Sequence, residues 1–275
     1  SALDPVIRVY PPEIASVLNG LKQGVDHYLK GSYQAALDAI PGDPGARLSL
    51  IGDYALLYRA KGLLMLERSE EALENFRALR TQYRDSPLLV EALLGECQAL
   101  LKLKNPEGAL EALKHPALGE SADSLYYRAR ALYESGEKNR ALELYLQVYA
   151  RHVTSQSAQL AEHQIRTISA ASLSGTRNYG FRLERAENLL RAGRYQEAKT
   201  LLVELGRFPS GDKAVAEKRT LLHAEAEYRL GRASQALPVA NRVSAANPAL
   251  HAQALYLKGV CNRVLNREAA FLQAR

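Results

Sequence analysis

The stretch RAENLLRAGRYQEAKTLLVEL, residues 185–205, contains the pattern that decides the fold. Small or apolar residues recur at helical intervals on both sides of Gly193: Ala186, Leu189, Leu190, Tyr195, Ala198 and Leu202. Glycine is the residue that most readily adopts the left-handed conformation at a helix end. The stretch therefore predicts two amphipathic helices that run antiparallel and meet at a glycine turn.

The same layout recurs along the chain, in HYLKGSYQAAL (27–37), ALYESGEKNRALELY (131–145) and EYRLGRASQAL (227–237), and more loosely in LLMLERSEEALENF (63–76) and LLKLKNPEGAL (100–110). In each copy an alanine follows a turn residue by five positions: Ala36, Ala72, Ala109, Ala141, Ala198 and Ala236. The intervals between these alanines are 36, 37, 32, 57 and 38 residues. All but one resemble the period of about 34 residues that is typical of tetratricopeptide repeats.

A second small residue lies twelve positions before each alanine: Gly24, Ala60, Cys97, Ala129, Ala186 and Ala224. Small side chains at both positions let two helices approach closely. Almost no segment shows the period-two alternation of a β-strand. The sequence therefore predicts an all-α protein, an α-solenoid of antiparallel, tetratricopeptide-like helix pairs in which each pair packs on the next.

One interval, the 57 residues between Ala141 and Ala198, interrupts the repeats. It contains one further helical pattern and the irregular link SLSGTRNYG. We therefore predict three parts: an N-terminal set of helix pairs at 1–150, an extra helix and loop at 151–181, and a C-terminal set of pairs at 182–275.

Composition argues against several classes of protein. Of the 275 residues, 47% are hydrophobic and 24% charged, as in a folded domain. Charges interrupt the most apolar windows well before the roughly 18 residues that a membrane span needs. The net charge of +6 comes from 36 basic residues scattered among 30 acidic ones, without a basic cluster. We expect neither a membrane-spanning chain nor a nucleic-acid-binding protein.

Motifs for catalysis or cofactor binding are also missing from the sequence. The histidines show no metal-ligand spacing, and no glycine-rich phosphate-binding motif occurs. Cys97 falls at a small packing position, which indicates a buried structural thiol rather than a nucleophile. We expect no catalytic residue, no metal and no cofactor in this chain.

From Arg182 to Ala198 the sequence reads R-x-x-x-A-E-x-L-x-x-A-G-R-Y-x-E-A, after helix pairs, a lone helix and a polar loop. This order resembles the N-terminal superhelical region of bacterial soluble lytic transglycosylases, best over residues 120–275. The resemblance implies a periplasmic protein. In that family a glutamate of a C-terminal lysozyme-like domain cleaves peptidoglycan strands.

The active-site signature of that family, Glu-Ser before an aromatic residue and then Gly-Leu-Met-Gln, is not matched here. Glu134-Ser135 continues as GEKNRAL, and the sole methionine, Met65, lies in LLMLE. We therefore expect Glu134 to lie at the end of a helix, just before a turn. The resemblance implies the non-catalytic part of such an enzyme, with any lysozyme-like domain beyond Arg275, or a stand-alone relative.

Solenoid geometry predicts any binding surface on the concave face, which the first helix of each pair lines. Residues one turn from the small packing positions should point into it: Lys61, Gln98, Lys102, Tyr126, Arg130, Tyr133, Glu187, Arg191, Glu225, Tyr228 and Arg229. Arginine and tyrosine suit sugars, carboxylates and peptides. The alternative for half or more of them is an ordinary place on the solvated surface or between repeats.

Two functions stay open at this point. The first is a non-catalytic superhelical scaffold that positions peptidoglycan for a lytic transglycosylase. The second is a stand-alone tetratricopeptide scaffold for protein–protein interaction in envelope assembly or secretion, with a protein or peptide as its partner.

Overall fold

The computed structural model describes residues 12–40 and 51–273, and in this part of the chain it contains helices and no strand. The α-helices are α1 (Pro12–Leu29), α2 (Tyr33–Ala39), α3 (Gly52–Met65), α4 (Ser69–Gln82), α5 (Leu89–Lys102), α6 (Pro106–Ala112), α7 (Ala122–Glu134), α8 (Lys138–Arg151), α9 (Gln156–Ile168), α10 (Tyr179–Arg191), α11 (Tyr195–Leu205), α12 (Lys213–Arg229), α13 (Ala233–Ala240) and α14 (Pro248–Gln273). Short 3-10 helices lie at Pro116–Leu118 and Ala170–Leu173. The all-helical prediction is confirmed.

The chain divides into two compact units, unit 1 (residues 1–141) and unit 2 (residues 142–275), and the division falls within α8. In unit 1, α1 pairs with α2, α3 with α4 and α5 with α6. In unit 2, α10 pairs with α11 and α12 with α13. Each second helix also packs on the first helix of the next pair, so each unit is an α-solenoid. The three-part division at residues 150 and 181 stays a prediction.

The small residues of the repeat lie where the two helices of a pair cross. Cys97 Sγ of α5 is 3.7 Å from the carbonyl oxygen of Ala109 in α6. A Cβ atom on Gly24 of α1 would stand 3.0 Å from the Ala36 oxygen and 2.1 Å from Ile40 Cγ1. Interiors packed this closely leave no room for a larger side chain. Glycine, alanine or cysteine at this position therefore sets the spacing of the helices.

The turn inside each pair has one backbone geometry. The residue five positions before each repeat alanine has a φ between 58° and 91°: Gly31, Glu67, Lys104, Gly136, Gly193 and Gly231. The N–H of the next residue donates to the carbonyl five residues back, as Arg194 does to Leu189. This left-handed residue and its hydrogen bond end the first helix and reverse the chain.

Two buried arginines of α10 hold the chain that runs from α8 to α10. Arg182 is fully buried; its Nη1 donates to the Gly175 carbonyl at 2.8 Å, and its Nη2 donates to Glu204 Oε1 of α11 at 2.6 Å. Arg185 donates to the Tyr149 carbonyl and lies 4.0 Å from the centre of the Tyr149 ring. These bonds satisfy carbonyl groups that have no partner within a helix.

Candidate functional site

The first helices of successive pairs lie side by side in each unit. In unit 1, α1 contacts α3, α3 contacts α5 and α5 contacts α7; in unit 2, α10 contacts α12 and α12 contacts α14. We call these the first-helix rows of unit 1 and of unit 2. All of the predicted binding residues lie on them.

Lys61 of α3 has partners on three first helices. Its Nζ donates to Glu91 Oε1 of α5 at 2.6 Å and lies 5.3 Å from the ring centroids of Tyr28 in α1 and Tyr58 in α3. Burial alone would lower the pKa of the Lys61 ammonium, but its hydrogen bond to Glu91 and the charge of Glu91 outweigh burial and raise that pKa. Lys61 therefore stays charged and joins neighbouring first helices.

Lys102 of α5 is held in a similar way. Its Nζ lies 2.7 Å and 2.8 Å from the two carboxylate oxygens of Glu67, in the turn after α3. Gln98, one turn earlier on α5, is half-buried. The charges of Lys61 and Lys102 are thus both neutralised by carboxylates of this chain.

The helix α7 carries Tyr126, Arg130 and Tyr133 on successive turns. Tyr126 is only 7% exposed, its ring meets that of Tyr127 edge-on with 5.5 Å between centroids, and burial raises its pKa. Arg130 Nε donates to Glu134 Oε1 at 3.1 Å. Glu134 is the last residue of α7, so the Glu-Ser dipeptide lies at a helix end.

Glu187 of α10 is the centre of a charged cluster in unit 2. Its carboxylate accepts a hydrogen bond from Arg191 Nη2 at 2.5 Å and pairs with Lys218 Nζ of α12 at 2.6 Å. The Arg191 side chain is largely exposed. The Glu187–Lys218 pair joins α10 to α12 much as Lys61 and Glu91 join α3 to α5.

A groove of about 590 Å³ opens between α12 and α14, in the first-helix row of unit 2. Its lining residues are Leu221, Glu225, Tyr228, Arg229, Ala252, Gln253, Tyr256, Leu257 and Val260. The structure thus brings three predicted binding residues together here: Glu225, Tyr228 and Arg229. The groove combines an apolar floor with tyrosines and a charged pair.

The charged pair of the groove is weakly held. Arg229 Nη2 and Glu225 Oε1 are 3.5 Å apart, and both side chains are exposed by more than a third. Ion pairs exposed in this way contribute only about 0–1 kcal/mol. Either charge can therefore exchange its partner for a group of a ligand at little cost.

Sequence reasoning missed Gln253 and Tyr256, because it assigned no small packing position to α14. A signal was present in the sequence. Gly259 lies 35 residues after Ala224, an interval within the range of the other repeats. Adding one more repeat interval after Ala224 would have identified α14 as a first helix.

A second, polar groove of about 410 Å³ lies outside the first-helix row of unit 1, beside α4, α5 and α6. Its centre is Glu96 of α5, which is only 2% exposed. The Glu96 carboxylate lies 3.0 Å from Arg77 Nε and 3.4 Å from Arg80 Nε, both on α4. The two arginines compensate a buried carboxylate, which is a structural role.

The two cysteines, Cys97 and Cys261, are buried free thiols, one in each unit. Burial raises the pKa of Cys97 to about 12 and also raises the pKa of Cys261. A reactive cysteine needs a lowered pKa and access to solvent. Neither thiol is therefore set up as a nucleophile.

Two further features bear on membranes and metals. Within residues 12–40 and 51–273, no helix has both the length and the apolar character that crossing a membrane requires. In the same described ranges, no group of three or more His, Cys, Asp or Glu side chains is arranged to hold a metal ion.

Models of the tetratricopeptide-repeat family match three segments of the chain. One model matches residues 54–86 and 123–155, and a second matches residues 221–274. No curated protein matches the chain. The chain therefore contains tetratricopeptide repeats, which indicate a protein–protein interaction scaffold with no expected enzymatic activity of its own. None of these matches bears on the resemblance to lytic transglycosylases.

Proposed function

We propose that this chain of tetratricopeptide repeats binds a peptide segment of a partner protein in the groove between α12 and α14. The observation that carries the proposal is the composition of that groove, an apolar floor flanked by Tyr228, Tyr256 and the weakly paired Glu225 and Arg229. Binding sites combine apolar lining with a few polar groups in this way.

The floor of the groove accepts an aliphatic side chain of the peptide. Leu221 and Leu257 are buried there, and Val260 is half-buried beside them. Covering such surface contributes about 25 cal/mol per Å² of apolar area. Tyr228 and Tyr256 add rigid rings with a hydroxyl each, a combination favoured at interaction sites.

The charges of the groove orient the peptide. Glu225 can pair with a basic side chain, and Arg229 can bind a carboxylate through two parallel hydrogen bonds. The first-helix row of unit 1 is a poorer candidate for this role, because Lys61 and Lys102 already have carboxylate partners. A ligand there would first have to break those ion pairs.

Selection from a displayed library of random peptides tests this proposal. Enriched peptides should bind the wild-type chain in calorimetry and lose at least about tenfold in affinity on Arg229→Glu, which corresponds to about 1.4 kcal/mol. Arg191→Glu is the matched control, since it reverses an exposed charge of α10 outside the groove. Equal binding to wild type and Arg229→Glu would rule out the groove.

The second candidate function is the one that the resemblance implies, the non-catalytic, substrate-positioning part of a periplasmic lytic transglycosylase with peptidoglycan as its partner. It is supported by the motif from Arg182 to Ala198. In this case Arg130→Ala with Arg191→Ala should weaken sedimentation with purified peptidoglycan, and so should added salt. The chain alone should release no anhydro-muropeptides. If the double variant sediments as the wild type does, the peptidoglycan function is rejected. The function that stays is then a protein-interaction scaffold in envelope assembly or secretion.

A further inference from the structure

The last helix, α14, has the orientation of a first helix. Leu222 and Ala226 of α12 pack on the preceding pair, α10 and α11. Leu257 and Cys261 lie 35 positions later in α14 and pack in the same way on α12 and α13. The interval of one repeat therefore relates α12 to α14 in packing as well as in sequence.

The same interval identifies a face of α14 that is uncovered. Leu221 and Ala224 of α12 are 5% and 0% exposed, because α13 and α14 pack on them. Their counterparts 35 positions later are Tyr256, which is 75% exposed, and Gly259, where an added Cβ would meet no atom within 4 Å. Leu255, on the same face, is 53% exposed. Nothing in the described residues covers this face.

The helix pairs of the molecule show what such a face accepts. In the first pair, Gly24 lies against Ala36 and Ile40, an alanine and a large apolar residue four positions later on the second helix. The same pattern of an alanine and a large core residue four positions later occurs in, or ends directly after, four further second helices, at Ala72 and Phe76, Ala109 and Leu113, Ala141 and Tyr145, and Ala198 and Leu202, all buried. The helix that would cover the exposed face of α14 is thus an antiparallel helix with this pattern.

The uncovered face of α14 carries that pattern itself. Ala252 and Tyr256 are four positions apart, and both lie on the face that contains Gly259. One face therefore offers both the gap, at Gly259, and the residues that fill such a gap. A two-fold axis near Tyr256 would place Ala252 and Tyr256 of each copy over Gly259 of the other, which is the self-complementarity that a two-fold interface requires.

The charges of this face are compatible with a two-fold axis. Like charges close to such an axis meet their own copies and repel. The exposed residues nearest the axis, Ala252, Leu255, Tyr256 and Gly259, are all uncharged. Arg263 is exposed on the same face, but it lies seven positions from Tyr256, so the two copies of Arg263 stand on opposite sides of the axis. We propose that this face of α14 pairs with the same face of a second copy of the chain, so that the two α14 helices pack antiparallel across Gly259.

This dimer face shares Ala252 and Tyr256 with the peptide groove, but it uses Gly259 and not Arg229, so variants at Gly259 and Arg229 test the two proposals apart. Sedimentation velocity should show the wild-type chain passing from monomer to dimer as its concentration rises, because association follows mass action. Gly259→Leu should remain monomeric over the same range, since its side chain fills the gap. Arg229→Glu, which reverses the positive charge of the groove, should dimerise as the wild type does.

Gly180→Leu is the matched control. Gly180 is also helical, in α10, and an added Cβ there likewise meets no atom within 4 Å. Both variants should keep the wild-type circular dichroism, and only Gly259→Leu should lose the dimer. In addition, Tyr256→Cys should form a disulfide-linked dimer on oxidation, whereas Gly180→Cys should not. A wild type that stays monomeric at every concentration, or a Gly259→Leu variant that dimerises normally, would overturn the proposal.

Discussion

The repeated helix pairs and the segment that interrupts them depend to different degrees on apolar packing and on side-chain hydrogen bonds. In the pairs, small residues such as Cys97 and Ala109 let apolar helix faces meet. Between α8 and α11, several side chains bind carbonyl groups in addition; besides Arg182 and Arg185, Asn188 donates to the Ala150 oxygen at 2.9 Å. Such bonds also occur at helix ends in the regular pairs, as from Arg59 to the Ile40 oxygen at 2.9 Å, but the interruption adds carbonyls outside the α-helices, such as that of Gly175, which polar side chains must satisfy.

The largest effect should come from the interrupting segment. Arg182→Ala removes the bonds to Gly175 and Glu204 and empties a fully buried site. We expect unfolding in urea to show a loss of about 3 kcal/mol. Arg182→Lys keeps the charge but not the forked guanidinium, so it should recover only part of the free energy of unfolding that the alanine variant loses. A loss below about 1 kcal/mol for the alanine variant would mean that packing, not Arg182, holds this segment.

The stability of the repeats should be most sensitive to side-chain size at the points where the two helices of a pair cross. Cys97→Leu places a larger side chain where the sulfur already lies 3.7 Å from a backbone oxygen of α6. Overpacking of this kind costs about 1–3 kcal/mol. Cys97→Ala keeps the site small and is the control. Equal urea midpoints for the two variants would contradict close packing as the source of stability in the pairs.

The sequence was sufficient for the repeats because residue type and spacing recur from pair to pair, even where Glu67 or Lys104 stands in place of the turn glycine. The left-handed turn at Gly193 and the crossing at Ala198 follow from residue type and spacing alone. The partner of Arg182 could not be predicted in this way, since it depends on the path of the loop through Gly175.

The candidate site shows the same limit. Lys61 does lie on the first-helix row, but its partner Glu91 is 30 residues away, and their meeting depends on how two helices align. Tyr256 was missed because the small residue of its helix, Gly259, is not followed twelve positions later by the alanine that marked the other repeats. The residue types of a surface could therefore be predicted, but not which of them are already paired within the chain.

A smaller effect should distinguish two helix starts, one in each region. Ser155 precedes α9, and its hydroxyl accepts a hydrogen bond from the Ala158 N–H at 3.0 Å. Ser155→Ala should therefore cost about 1 kcal/mol in free energy of unfolding. Ser32 precedes α2 within a helix pair and makes no such bond, so Ser32→Ala should be close to neutral. Equal losses at the two serines would contradict this difference between the two helix starts.

The smallest effect concerns His223, a half-buried polar group within a repeated pair. Burial lowers the pKa of His223 below its ordinary 6.5, and the charges of Arg219 and Lys199 act in the same direction against that of Glu227. The unfolded chain therefore gains a proton at higher pH than the folded chain, so this contribution to stability is complete above the ordinary pKa and falls as the pH drops below it.

Chemical denaturation checks this expectation. Between about pH 7.5 and pH 5.5, around the ordinary histidine pKa, the wild type should lose more free energy of unfolding than His223→Gln. His163 lies on the exposed side of α9, so His163→Gln is a suitable control. Identical pH profiles for wild type and His223→Gln would show that burial does not disfavour the charged imidazole.

The placement of the two cysteines has a practical consequence. A thiol reagent can reach Cys97 or Cys261 only when the helices around that residue separate, because both are fully buried. Where reclosing is faster than modification, the labelling rate of each thiol reports the population of its open state. Because one cysteine lies in each unit, mass spectrometry of the two labelled peptides would time the local opening of each unit separately. The natural sequence thus already contains two independent reporters of native-state opening.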